Sequence, residues 1–289
     1  MEATMILVIG GRSRTGRELI RLLREAGAPL RILTRSAESP DDPDAVPGDL
    51  ARPDTLDEAM AGAEKVFLLC SAAHDELAWH RNAIDAAARA GVAHLVRSSI
   101  LAANPASPAR FIRHHGQADE HLRESGVPHT ILRPNFYMHN VSTVWPSSIG
   151  PDGNYYAPAG DARISMTDAR DVAAVAARVL LDDAHTGTGY DVTGPEALSH
   201  AEACEKLSAR LGRPVRYVPV EDGAARSAML DAGLNHWMTD ALIELYQDYR
   251  RSGIHGYAAQ VASTVPAVTG RPAHTLDRAL ADDLGASAS

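Results

Sequence analysis

Lysine is almost missing from this chain. Of its 28 basic residues only Lys65 and Lys206 are lysines, so any chemistry that needs a lysine amine must use one of those two. Cysteine is as scarce. Cys70 and Cys204 stand far apart without a ligand pattern, which argues against a disulfide framework and indicates no metal site. No run of about 20 apolar residues exists, so no membrane span is expected. The apolar run from Met5 stops at Gly10 and has no basic segment ahead of it, so it reads as a buried strand rather than a signal peptide. Positive charge is in deficit. With 28 basic against 37 acidic residues the net charge is −9, which argues against nucleic acid as a partner. What remains is ordinary for a globular chain: 45% hydrophobic and 22% charged over 289 residues, enough for one large domain or two that share an interface. The expectation is a cytoplasmic protein, monomer or homodimer, with the arginine and alanine bias of a GC-rich bacterial genome.

Short apolar runs alternate with helical patterns over the first 135 residues. Strands are expected at 5–9, 30–34, 65–70, 93–97 and 129–132, and helices at 15–26, 55–60, 77–90 and 111–125. Such alternation implies right-handed crossovers and a parallel sheet with helices on both faces. The fold class is therefore α/β, a doubly wound parallel sheet of the Rossmann type. Further on, 145–160 is rich in Pro, Gly and Tyr and reads as a loop beside a site. Strands are expected at 163–166, 190–192 and 215–218, and helices at 168–181, 199–211 and over much of 221–251, with a frayed tail from Ala286. The expected division is a dinucleotide-binding domain over 1–150, to which 162–193 returns, and a smaller α+β region over 151–289.

The first strand runs into Gly10-Gly11-Arg12-Ser13-Arg14-Thr15-Gly16. Gly10 allows a sharp turn and Gly16 close packing of the next helix. The amides between them face a pyrophosphate at the positive helix end. Ser13 stands where the commonest fingerprint has its middle glycine, and its hydroxyl is a candidate donor. Arg35 follows the second strand, where an acid otherwise binds the ribose hydroxyls, so NADP(H) is expected over NAD(H). Arg12 and Arg14 are expected to assist. Asp49 and Leu50, after Gly48, suit the adenine, and Cys70 and Ser71 the adenosine or ribose side.

At this point the sequence resembles the NmrA-like group of atypical short-chain dehydrogenase/reductases, over about residues 5–285. The likeness rests on the Gly10–Gly16 loop, which departs from the group's pattern at Arg12 and Ser13, on Arg35, and on Gly48-Asp49-Leu50. It rests also on His115-Gly116, on Arg133-Pro134-Asn135-Phe136-Tyr137-Met138 with Asn140, on Arg170-Asp171-Val172-Ala173, and on Asp191-Val192-Thr193-Gly194-Pro195. The resemblance implies a Rossmann domain, a smaller domain over it and a cleft between. It also implies quinone or triarylmethane dye reduction, isoflavone-type reduction or nucleotide sensing. Pro134, Asn135 and Phe136 are expected to border the nicotinamide, with Ser98 at the end of the neighbouring strand.

Typical short-chain dehydrogenases use Tyr-x-x-x-Lys, and neither lysine here has a tyrosine four positions before it. Three readings stay open. An NADPH-dependent reductase needs little acid help if its acceptor is a quinone or an aromatic cation. Alternatively a histidine or loop tyrosine acts as acid, with His115, Tyr137 and Tyr155 the candidates. His115 is read as beginning its helix, and His114 as its solvated neighbour. The third reading is a silent nucleotide sensor; an isomerase-type activity is a variant on the same scaffold. Tyr156, Ser99, His74 and Trp237 are the candidate substrate residues, with Tyr155 and Tyr156 on a lid.

Overall fold

The structure, a computed structural model, describes residues 4–35 and 42–285. In chain order the main elements are β1 (Ile6–Ile9), α1 (Arg14–Glu25), β2 (Leu30–Thr34), β3 (Ala45–Pro47), α2 (Leu56–Met60), β4 (Lys65–Leu68), α3 (Glu76–Ala90), β5 (His94–Ser98), α4 (Arg110–Glu124) and β6 (His129–Pro134). There follow α5 (Trp145–Ser148), β7 (Asn154–Ala157), α6 (Ala169–Leu181), β8 (Gly189–Val192), α7 (His200–Leu211), β9 (Arg216–Pro219), α8 (Asp222–Asp231), α9 (His236–Ser252), α10 (Thr264–Thr269) and α11 (Leu276–Leu284). Seven parallel strands form one sheet in the order β3-β2-β1-β4-β5-β6-β8. The order reverses between β1 and β4, which opens a crevice at the carboxyl ends of those strands.

Strand alternation divides the core. Ile6, Val8, Phe67, Val96 and Leu132 point to one face, where they meet Leu19 and Leu23 of α1 and Val172, Val175 and Val179 of α6. Leu7, Ile9, Val66, Leu68, Leu95 and Ile131 point to the other, against Leu56, Met60, Ile84, Ala87 and Leu122. Both faces are covered, which is why the strands read as unbroken apolar runs. A third cluster, with Trp145, Tyr155, Leu207, Tyr246, Tyr249 and Leu280, forms the core of the carboxyl-terminal part.

Several expectations are corrected. Residues 163–166 form no strand: Ile164 and Leu198 exchange backbone hydrogen bonds at one isolated bridge, and Ser165 N–H goes to the Ala258 carbonyl. No strand lies beside the segment to extend a ladder, so loop partners satisfy its buried backbone. The long helix across 221–251 breaks into α8 and α9, because Gly233 turns left-handed (φ 89°) and the Asn235 side chain caps Met238 N–H. The loop read at 145–160 contains α5 and β7, and β7 pairs in parallel with β9. The strand β3 and the helices α10 and α11 carried no pattern strong enough to be expected. The tail from Ala286 lies outside the described residues.

Candidate functional site

The crevice between β1 and β4 is a groove of about 240 Å³. Its lining comes from the ends of three neighbouring strands: Gly10, Gly11 and Arg12 after β1, Thr34 and Arg35 at the end of β2, and Cys70, Ser71 and Ala73 after β4, with Asp49, Leu50 and Trp79 closing one end. A Cβ at Gly16 would stand 2.2 Å from the Gly10 carbonyl oxygen, and one at Gly10 would stand 2.5 Å from the Leu69 carbonyl oxygen. Only glycine fits either position, and Gly10 is also left-handed (φ 90°). The turn is thereby pressed against the sheet, and Gly10, Gly11 and Arg12 line the groove. These residues fit a dinucleotide: a glycine cradle at a helix amino end, an arginine at the second strand, and an aromatic and a leucine where an adenine would lie.

Within the loop the structure corrects two expectations. The Ser13 hydroxyl donates to the Gly10 carbonyl at 2.8 Å and accepts the Gly16 N–H at 2.9 Å, so it caps α1 instead of offering a donor. The Arg14 guanidinium turns away from the groove and pairs with Asp283 at 2.6 Å. There it lines a separate cavity of about 490 Å³ between α1, α6 and α11, where Arg170 is likewise paired, with Asp168 and Asp282. Thr15 is buried, and its side chain and that of Ser98 both hydrogen-bond the Tyr137 hydroxyl. These bonds join the phosphate loop, the end of β5 and the segment after β6.

Asn135 is spent on the fold. Its amide donates to Ser165 Oγ at 3.1 Å and to the Ala258 carbonyl at 2.9 Å, and its Oδ1 accepts Phe136 N–H and the Tyr249 hydroxyl. It fixes the turn that carries Phe136 and Tyr137 at the end of β6, where Pro134 is buried. Ser99 is also committed inward, donating to Asp119 Oδ2 at 2.9 Å.

Beneath the cleft lies a buried polar layer. Arg97, fully enclosed within β5, pairs with Asp119 of α4 and donates to His115 Nδ1 at 3.2 Å. His115 does not begin α4; it is the sixth residue, and Gly116 after it lies so close to Asn104 and Pro105 that a Cβ would overlap them. Burial and the Arg97 charge hold His115 well below the usual histidine range. Fully buried His80 stands beside it, with ring centroids 5.3 Å apart, and neither His80 ring nitrogen has a partner among the described residues. As an imidazolium acid His115 is therefore unsuited.

Above this layer the amino ends of α4 and α9 and the loop after β4 bring rings together. Trp237 meets Phe111 edge-on at 5.6 Å, His114 in a near-parallel stack at 6.1 Å and His74 at 6.2 Å, and Arg110 lies over its face. His114 is no solvated neighbour: its side chain is 17% exposed, and its Nδ1 is 3.1 Å from Oε1 of Glu76, itself 1% exposed. Sequence reasoning passed over Glu76 and Trp79. The signal was one turn of helix, since Glu76, Trp79 and His80 at i, i+3 and i+4 share a face of α3.

The lid reading for the tyrosine pair is corrected by halves. Tyr155 is core, stacked on Trp145 at 4.3 Å, and burial drives its phenol well above the ordinary range. Aromatic residues in alternation along β7 send one ring inward and the next outward, so Tyr156 is exposed, with its hydroxyl on Asp152 at 2.5 Å.

Comparisons with known proteins agree with this geometry. The chain is 40% identical over 276 residues to NAD(P)H azoreductase from Xenophilus azovorans, covering 94% of this chain and 95% of that one. It is 36% identical over 277 residues to a (4-alkanoyl-5-oxo-2,5-dihydrofuran-3-yl)methyl phosphate reductase from Streptomyces griseus, covering 93% and 94%. Among solved structures, an NADPH-dependent quinone oxidoreductase from Escherichia coli, complexed with NADPH, superposes with a TM-score of 0.86 at 25% identity, covering 97% of this chain and all of that one. Residues 2–268 match the NmrA-like family, and the chain belongs to that family.

Proposed function

We propose that the chain is an NADPH-dependent oxidoreductase that reduces a quinone-like or aromatic small molecule. The observation that carries this reading is the continuity of two surfaces. The glycine-cradled groove at the switch point is lined as far as Ala73, and the next residue, His74, meets the Trp237 ring with centroids 6.2 Å apart. The azoreductase and quinone oxidoreductase likenesses support the same reading. When bound, the dinucleotide supplies the hydride. The protein binds and orients. Gly10 and Gly11 bring the backbone of the turn to the diphosphate while Gly16 lets α1 pack against it, Arg35 and Arg12 meet the 2′-phosphate, and Asp49, Leu50 and Trp79 enclose the adenine. Arg35 stands where NAD-binding folds place an acid, which favours NADPH over NADH.

Tyr137 shapes the floor of the acceptor side. Its hydroxyl is held by Thr15 and Ser98, and burial raises its pKa, with no lysine alongside to lower it. It is an orienting group more than an acid. Trp237, Phe111 and His74 give a flat acceptor a ring to stack on.

The test pairs binding with turnover. NADPH and NADH are titrated by nicotinamide fluorescence, and NADPH absorbance is then followed with quinones, azo dyes and triarylmethane cations. Tighter NADPH binding and oxidation by at least one acceptor class are expected. Tight binding without oxidation by any acceptor would replace the reductase with a nucleotide sensor.

A further inference from the structure

Hydride reduction of a quinone leaves one oxygen as a phenolate, and that oxygen needs one proton to become the hydroquinone. The usual Tyr-Lys source does not exist in this chain. The ring cluster around Trp237 contains one side chain backed by a buried carboxyl. That side chain is His114, whose Nδ1 faces Glu76 Oε1 at 3.1 Å. His114 Nε2 has no hydrogen-bond partner among the described residues and is not a fully buried atom, and the ring, 17% exposed, stacks on Trp237 in the cluster that would receive the acceptor.

The geometry points to a proton relay in which His114 Nε2–H protonates the reduced acceptor and Glu76 resupplies His114 through Nδ1. This rests on the reductase reading. The step balances. The Nε2–H bond breaks as the acceptor O–H forms, the Glu76 carboxyl proton moves to Nδ1, and His114 ends neutral in its other tautomer. Glu76 is left as a carboxylate, and solvent at the cleft returns its proton through the same ring.

The surroundings favour this use. Burial pushes the Glu76 carboxyl up to about 8, so it holds a proton at neutral pH, while Arg97 of β5 and the Ala73 N–H pull the other way. Cys70 after β4 also faces Glu76, and His80 of α3 and His115 of α4 lie beside Arg97. Around His114 lie Arg110 and Arg113 of α4, His74 and Glu244 of α9, and burial with Arg113 and Arg110 keeps the imidazole neutral. A neutral ring between a protonated carboxyl and the cleft can pass a proton without ever becoming an imidazolium.

A pair of acceptors isolates the relay. A triarylmethane cation takes hydride at carbon and needs no proton, whereas a quinone needs one. Glu76→Gln, nearly isosteric, and His114→Phe, which keeps the stack on Trp237, are expected to slow quinone turnover roughly 100-fold and dye turnover far less, so that the quinone-to-dye ratio falls by on the order of 10-fold or more. Wild-type quinone turnover is expected to fall above about pH 8, a limb that Glu76→Gln lacks. Independently of turnover, infrared spectra at pH 7 should show a protonated buried carboxyl that Glu76→Gln removes. Quinone turnover unchanged in both variants, or quinone and dye turnover falling together, overturns the relay alone. Absence of wild-type turnover with both acceptors overturns the reductase reading and the relay with it.

Discussion

Lys65 Nζ donates to the Leu180 carbonyl at 2.7 Å and stands 2.6 Å from Asp183 Oδ1. Lys65 is the first residue of the central strand β4, at the end of the sheet opposite the groove, and its ammonium caps the carboxyl end of α6. The other lysine, Lys206 of α7, is paired with Asp277 and Glu196. Both are structural. Lys65→Met should therefore cost about 1–3 kcal/mol of stability by leaving the Leu180 carbonyl without its cation, while kcat with quinone stays unchanged. Urea unfolding and steady-state assays check this, and a loss of kcat at unchanged stability would contradict it.

Arg35 lines the groove at the end of β2. Arg35→Ala is expected to weaken NADPH by about 1.5–3 kcal/mol, the worth of a charge-assisted hydrogen bond, and to leave NADH affinity nearly unchanged. Fluorescence titration of both nucleotides measures it. Equal losses for the two would move the 2′-phosphate contact away from Arg35, with Arg12 next in place.

The sheet was legible because its central strands β1 and β4 are buried on both faces and helices such as α1 carry one apolar stripe. Five of the seven strands and the glycine turn follow from period and spacing along the first 135 residues. The later part was not legible to the same degree. Its core is aromatic, and a Tyr-Tyr pair such as Tyr155 and Tyr156 reads as a loop feature until a partner strand, here β9, fixes which ring turns inward. The site divides in the same way. Most groove residues stand at or just after strand ends that the apolar runs reveal, and only Trp79 and Ala73, from α3 and the loop before it, needed the fold. Glu76 and His114, 38 positions apart in the chain, meet only because β4 and β5 are neighbours and their helices pack side by side.

Tyr137 and His115 separate orientation from acid chemistry. Tyr137→Phe removes the hydroxyl that Thr15 and Ser98 hold, so it should raise KM for NADPH or acceptor and reduce kcat less than tenfold, about the effect of one displaced ring. The pH limb of quinone turnover should be unchanged. His115→Gln keeps an acceptor for Arg97 and should behave likewise. Disappearance of the limb in Tyr137→Phe would make the phenol the proton source.

His200 is fully buried among Trp145, Tyr155, Tyr217 and Tyr246, and neither ring nitrogen has a partner among the described residues. Burial lowers its pKa to about 3. His200→Phe keeps the stack on Trp145 and removes a desolvated polar group, so it should stabilise the fold by about 1–3 kcal/mol at pH 7. The gain should grow as pH falls from 6.5, because the unfolded histidine then takes a proton that the folded one refuses. Unfolding curves at pH 7 and pH 5 check both parts, and a destabilised variant would show that the cage does not admit the larger ring.

Glu76 should leave its own mark on stability, with the opposite sign. Its folded carboxyl titrates at about 8 against an ordinary value of 4.5. Below 4.5 both states are protonated. Between 4.5 and 8 the folded state keeps a proton that the unfolded state has lost, so stability falls as pH rises, at roughly 1.4 kcal/mol per pH unit. Lowered histidines such as His94, at about 4, act the other way, with an effect that fades over about a pH unit above the unfolded value of 6.5. Cys70 and Cys204, raised to about 12, begin to matter only above 9. Glu76→Gln shares every one of these histidines and cysteines, so the difference between the two proteins isolates Glu76. From pH 6.5 to 8 the wild type should lose about 2 kcal/mol relative to Glu76→Gln. Urea unfolding at pH 6.5, 7.2 and 8 measures both slopes, and parallel slopes would show that Glu76 is ionised throughout.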